Sequence, residues 1–105
     1  AIARHEVKCT LEDVVREGTR VLKPGGRFFM VHRPRRLIEI ITVMKRHGLE
    51  PKRMKMVHPY ADREANMVLI EAVRGGGPLL KMEAPVIVFD QNGEYSPEIR
   101  TTYGY

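Results

Sequence analysis

Leu22-Lys23-Pro24-Gly25-Gly26-Arg27-Phe28-Phe29-Met30-Val31 joins the end of one element to the start of the next with no linker between them. Pro24 cannot continue a helix, and Gly25 or Gly26 can take the left-handed conformation that closes one. The apolar run that follows reads as a buried strand over 27–32. Upstream, Thr10-Leu11-Glu12-Asp13 sets a hydroxyl three residues before a carboxylate, close to a capping box. Leu11, Val14, Val15, Val21 and Leu22 then share one helical stripe. Helix, tight turn and strand in this order belong to the late half of an open α/β sheet.

Further on, Pro34 stands where a first helical residue belongs, and Leu37, Ile38, Ile40, Ile41 and Met44 give a broad apolar face as far as Gly48. A second helix is predicted over about 35–47 on that pattern. Arg53-Met54-Lys55-Met56-Val57-His58 alternates as a half-exposed strand does, whereas Met67-Val68-Leu69-Ile70-Glu71-Ala72-Val73 is nearly continuous and reads as the more buried strand. Residues 59–65 are too few for a crossover helix, so these two strands run antiparallel as neighbours. Strands 27–32 and 53–58 are joined through a helix and run parallel. With strand 66–73 between them, the spatial order is first, third, second.

Past Gly75-Gly76-Gly77-Pro78 the composition shifts, which divides the chain into 1–76 and a C-terminal extension, 77–105. Pro85-Val86-Ile87-Val88-Phe89 followed by the turn signal Asp90-Gln91-Asn92-Gly93 is predicted to make a loose hairpin or an extended arm, with Pro97 weakening any second strand.

The 105 residues allow one domain, and 43% hydrophobic residues suffice for a modest core. No apolar run nears the roughly 20 residues of a membrane span, and the N-terminus lacks a signal-like stretch. The single cysteine, Cys9, permits no internal disulfide and agrees with a reducing compartment, so the expected location is cytoplasmic. The net charge of +5 attracts polyanions without identifying one. Its basic residues fall in three groups, Arg33, Arg35 and Arg36, then Lys45 and Arg46, then Lys52, Arg53 and Lys55, expected either to converge on folding or to solvate the surface. There is no phosphate-binding loop, no glycine loop leading from a strand into a helix and no metal-spaced Cys/His set.

An ordered set of motifs carries a resemblance: Ala3-Arg4-His5-Glu6, Cys9-Thr10-Leu11-Glu12-Asp13, Leu22-Lys23-Pro24-Gly25-Gly26-Arg27-Phe28, Val31-His32-Arg33-Pro34, Leu49-Glu50-Pro51-Lys52-Arg53, Val57-His58-Pro59, Asn66-Met67-Val68-Leu69-Ile70-Glu71-Ala72 and Arg74-Gly75-Gly76. Taken together it resembles the C-terminal part of bacterial S-adenosylmethionine-dependent methyltransferases of the small-domain class, tRNA adenine-N6 methyltransferases in particular. The resemblance implies a partial Rossmann-like methyltransferase sheet. This chain would supply its last three strands in the order 5-7-6, the seventh antiparallel, with two flanking helices and a C-terminal arm. It also implies a parent enzyme using S-adenosylmethionine, whose donor loop and Asn-Pro-Pro-Tyr motif lie upstream. Neither motif occurs here, and the chain opens on Ala1, so it reads as a piece of a larger protein with no catalytic residue and no cofactor of its own.

The resemblance makes Arg4, His5 and Glu6 candidate substrate-side residues, the competing reading being local bonds that cap the approach to the first helix. His32 and Arg33, with Arg35 after them, end a parallel strand at its carboxyl end, where open α/β sheets hold ligands. A turn closed by Pro34 is the alternative. Lys52 and Arg53 are candidates for RNA phosphates, although edge strands are also charged to discourage pairing. His58 reads as a satisfied turn histidine, and Met54, Met56 and Met67 as core filling. The partners expected are tRNA or another RNA and no membrane. In isolation a homo-oligomer is expected through the free edge of strand 27–32, and a non-catalytic basic RNA-binding or oligomerising domain is the alternative function.

Overall fold

The computed structural model describes residues 9–103. The first helix, α1 (Leu11–Arg20), begins at a complete capping box: the Thr10 hydroxyl accepts the Asp13 amide at 3.1 Å, and the Asp13 carboxylate accepts the Thr10 amide at 3.1 Å. Two of the N–H groups that every helix start leaves unpaired are thereby satisfied. The helix ends at Arg20, earlier than the apolar stripe suggested, so Val21 falls past its last turn and is 71% exposed. Gly25, at φ +85°, makes the turn into β1 (Arg27–His32). A single 3₁₀ turn at Pro34–Arg36 then leads into α2 (Leu37–Arg46).

The second strand, β2 (Leu49–His58), starts four residues before the alternating pattern does. Pro51 lies inside it and is buried. A shift of register between Pro51 and Arg53 absorbs the ladder hydrogen bond that proline cannot donate. The third strand, β3 (Met67–Arg74), runs antiparallel to both β1 and β2, pairing Met30 with Ile70 on one side and Met54 with Ile70 on the other. The expected order of these three strands and the antiparallel sense of the middle one are therefore present. The fold is a mixed α/β sheet with flanking helices.

Both helices cover one face of the sheet. Val15 of α1 and Ile40, Val43 and Met44 of α2 pack on Leu49, Met54, Val68, Ile70 and Ala72, all buried. Ile38, expected on that face, is 82% exposed, and Val43 takes its place. Leu37, Ile40, Ile41 and Met44 keep the three- and four-residue spacing of one stripe, and Ile38 falls outside it. Glu12 of α1 accepts hydrogen bonds from Arg46 and, at 2.7 Å, from His47, so the start of one helix is tied to the end of the other.

The extension makes the expected short hairpin around Asp90–Gly93, and the run before it is not a free arm. Its strands β4 (Lys81–Met82) and β5 (Val86–Ile87) pair parallel with the outer edge of β2. Phe89 then bridges to Tyr95 around a turn in which the Asp90 carboxylate accepts the amides of Asn92 and Glu94 at 2.9 and 3.0 Å. The Phe89 ring lies 5.5 Å from Tyr60 and 5.6 Å from Tyr95. A final helix, α3 (Pro97–Tyr103), is capped by Ser96, whose hydroxyl accepts the Ile99 amide. An apolar run beside an unpaired strand gains ladder bonds by adding to it, which a free arm would forgo.

Truncating Ile40 to Ala, at the contact between α2 and the sheet, is expected to cost about 3 kcal/mol in urea unfolding. Thr10→Ala, which removes the cap of α1, costs about 1 kcal/mol. Ile38→Ala, exposed on the same helix as Ile40, leaves the midpoint within about 0.5 kcal/mol of wild type.

Candidate functional site

Because β1 and β2 are both antiparallel to β3, they run parallel to each other, and their carboxyl ends share one edge of the sheet. The opposite, amino edge is closed by backbone bonds among three glycine turns. The Gly25 amide donates to the Arg74 carbonyl and the Arg74 amide to the Gly26 carbonyl, each at 2.9 Å, while the Gly75 amide donates to the Gly48 carbonyl at 3.0 Å. The Arg74 guanidinium adds a bond to the Leu22 carbonyl. These glycines hold turns together, and Gly75 leads toward Pro78 with no helix after it.

At the carboxyl edge lies an open cleft of about 880 Å³. Thr10, Leu11 and Val14 at the start of α1 form one wall, Phe28 to Arg33 and Arg36 another, and Asn66 and Met67 a third. His32 and Arg33, two of the residues the sequence singled out, are therefore together, with Arg35 in the adjoining 3₁₀ turn. The Arg33 amide donates to His32 Nδ1 at 2.8 Å, so the neutral ring carries its proton on Nε2. Arg36 is held by Glu39 through two bonds of 3.0 and 2.7 Å. Among the described residues neither Arg33 nor Arg35 enters an ion pair.

The remaining candidates do not join this cleft. Arg53 lies on the open face of the sheet, 3.5 Å from Glu71 and 2.8 Å from Glu83. Lys52 donates to the Gly77 carbonyl at 2.9 Å, near the amino edge. His58 reaches the same edge as His32 but donates from Nδ1 to the Arg63 carbonyl at 2.7 Å, a satisfied turn histidine as expected. Arg4, His5 and Glu6 lie outside the described residues. The three basic groups do not converge, because Lys45, Arg46 and Arg53 are each taken up by a nearby carboxylate. Asn66 stands in the motif series of the sequence but is not singled out there as a site residue. It lines the cleft just before the first residue of β3.

The uncovered face of the sheet is the second unusual surface. Phe29 is 70% and Val31 60% exposed on β1, which has no partner on its outer side among the described residues. Beside them, Glu71 sits between Arg27 at 3.8 Å and Arg53 at 3.5 Å.

The described residues do not fit a methyl donor. No glycine turn joins the carboxyl end of a strand to a helix start, the arrangement that cradles a nucleoside cofactor in such sheets. Among them there is also no group of three or more metal-ligating side chains, and no helix long and apolar enough to cross a membrane.

Burial holds the His32 imidazole below its ordinary pKa of 6.5. The Arg36 and Arg33 charges push the same way, and Glu39 partly opposes them. The unfolded chain thus binds this proton more readily than the folded one, so stability falls as pH drops below 6.5 and is unaffected by this group well above it. The His32 ring signal is expected to titrate with a midpoint under 6.5, and His32→Gln to flatten the fall of the urea midpoint between pH 6.5 and 5.

No family model and no curated protein matches this chain. Among solved structures it is similar to the crystal structure of a predicted O-methyltransferase, protein Atu636 from Agrobacterium tumefaciens, at 25% identity and a TM-score of 0.75. The match covers 90% of this chain and 45% of that one, so the chain spans less than half the length of its structural relative. Its fold is methyltransferase-like.

Proposed function

We propose that this chain works as the C-terminal, substrate-side part of an S-adenosylmethionine-dependent methyltransferase acting on adenine N6 in tRNA. The observation that carries the reading is the insertion of antiparallel β3 between parallel β1 and β2, matched over 90% of the chain by a structure described as a methyltransferase. The motif series ending in Asn66-Met67-Val68-Leu69-Ile70-Glu71-Ala72 and Arg74-Gly75-Gly76 supports the adenine class. In this reading the donor is held by structure outside these residues. The chain itself offers the RNA a carboxyl-edge cleft with His32 and Arg33 and leaves catalysis to the complete enzyme.

The relative's description favours a second reading, transfer to oxygen. A protein that also contains a glycine loop and an Asn-Pro-Pro-Tyr segment should yield N6-methyladenosine in tRNA hydrolysates. An O-methylated product overturns the nitrogen reading. Calorimetry on the 105-residue chain should give no heat with S-adenosylmethionine and salt-sensitive binding with a tRNA transcript. Replacing Arg33 and Arg35 together by Ala should make the slope of log K against log salt shallower by about 1.5. Heat with the donor alone overturns the division of labour.

The bare edge and exposed Phe29 and Val31 support self-association of the chain in isolation, since an unpaired apolar strand recruits another. Sedimentation at micromolar concentration should show a dimer or larger species that Phe29→Lys returns to monomer. Wild-type chain sedimenting only as monomer removes this proposal.

A further inference from the structure

The carboxyl-edge cleft has the shape of a missing strand. Its lining takes in every residue from Phe28 to Arg33. Consecutive strand residues alternate between faces, so a cavity that touches all of them runs along the edge of β1 rather than across one face.

Which backbone groups look into that trench follows from the ladder on the other side of β1. The Arg74 amide donates to the Gly26 carbonyl at 2.9 Å in the β1–β3 register, so Gly26 and Arg74 form a hydrogen-bonded pair. Such pairs recur at every second residue. Phe28, Met30 and His32 therefore turn their amides and carbonyls toward β3, and Arg27, Phe29 and Val31 turn theirs outward, where no strand stands among the described residues. The outward residues also carry the exposed side chains, since Phe28 and Met30 pack on the core while Phe29 is 70% and Val31 60% exposed. An added strand thus meets unmatched backbone groups and apolar side chains at the same positions.

The far end of the sheet cannot supply that strand. There β4 is only two residues, Lys81–Met82, so head-to-tail stacking of copies gains little ladder, whereas β1 against β1 closes at a dimer. We infer that β1 pairs antiparallel with β1 of a second copy about a two-fold axis through Phe29, and that this pairing fills the cleft in which RNA would sit. The inference rests on the self-association proposed above and gives it a register and a consequence.

With the axis at Phe29, that residue stands opposite its own copy and Arg27 stands opposite Val31, so every outward amide and carbonyl is used. An axis at Met30 sets Arg27 against Arg33, like charges in direct opposition, and calls on the Arg33 amide, already donated to His32 Nδ1. An axis at Phe28 sets Val31 against Gly25, whose amide is already bonded to the Arg74 carbonyl. The Phe29 register brings the two rings together and lays the Arg27 stem along Val31 of the second copy, while the guanidinium stays 3.8 Å from its own Glu71. It also sets the second copy's Gly25 and Gly26 beside Arg33 and His32, which closes the cleft at its basic end.

Register-specific disulfides test this in chains that carry Cys9→Ser, because Cys9 is exposed and would crosslink by itself. Hydrogen-bonded antiparallel pairs stand about 5.5 Å apart at Cα, within the span of a disulfide. Arg27→Cys and Val31→Cys both alter exposed side chains and keep Phe29. The two chains should crosslink when mixed and neither should crosslink alone, since like positions on the two copies lie roughly 13 Å apart in this register. A dimer that fails to crosslink in the mixture, or crosslinks as well in either chain alone, overturns the register and leaves self-association standing. Wild-type chain that sediments only as monomer removes the self-association itself. The oxidised mixed dimer should lose binding to a tRNA transcript and regain it on reduction. Linked dimer that binds tRNA as the reduced chains do overturns the closure of the cleft. Reduced chains that bind no tRNA remove the RNA reading, and the crosslinks then decide the pairing by themselves.

Discussion

The antiparallel seating of β3 between β1 and β2 is the constraint from which the other features follow. Because β3 donates and accepts on both sides, it fixes the registers of its neighbours together, and so decides which residues reach the carboxyl edge. The same registers put Phe28 and Met30 under the helices and Phe29 and Val31 on the bare face. A one-residue slip in either ladder would exchange those two sets and uncover the core. The buried Val68, Ile70 and Ala72 therefore hold the register as much as they fill space.

The two edges of the sheet have different physical characters. The amino edge is a closed set of backbone hydrogen bonds among glycine turns, with the Arg74 guanidinium and the Lys52 ammonium each donating to a carbonyl there. At the carboxyl edge the strands simply stop, and the starts of α1 and β3 flank an open cleft whose basic side chains are only partly neutralised. The general preference of open α/β sheets for ligands at this edge thus has a local cause here. The bare face is held by charge as well as by apolar contact. Glu71, between two arginines and only 11% exposed, keeps a carboxylate where an uncovered sheet would otherwise present an apolar strip.

Much of the fold was legible because its signals are local. The Thr10–Asp13 capping box, the Gly25 turn into β1 and the Gly48 turn act within a few residues, and each is found where the sequence put it, although α1 stops short of Pro24. Strand order was legible for a related reason, since a seven-residue connection and a helical crossover leave few ways to arrange three strands. Ile38 and Val21 were misplaced because their helices end or turn slightly differently from the stripe they extend. Of the site, His32 and Arg33 could be read from their place at a strand end, whereas Lys52 and Arg53 could not be separated from them by composition alone. Asn66 belonged to a quoted motif but carried no site signal of its own, since a lone asparagine before a strand resembles any turn residue.

By itself the sequence determined the elements, their boundaries to within a few residues, and the pairing order, because caps, breakers and periodicity act along the chain. Tertiary structure alone decided which face the helices cover, which arginines keep their charge free, where the extension lies and what stands beside His32. Those outcomes depend on contacts between residues tens of positions apart. Arg46 meeting Glu12, Arg53 meeting Glu83 and Val57 pairing with Val86 leave no mark on local composition, because each exists only once β3 has set the register.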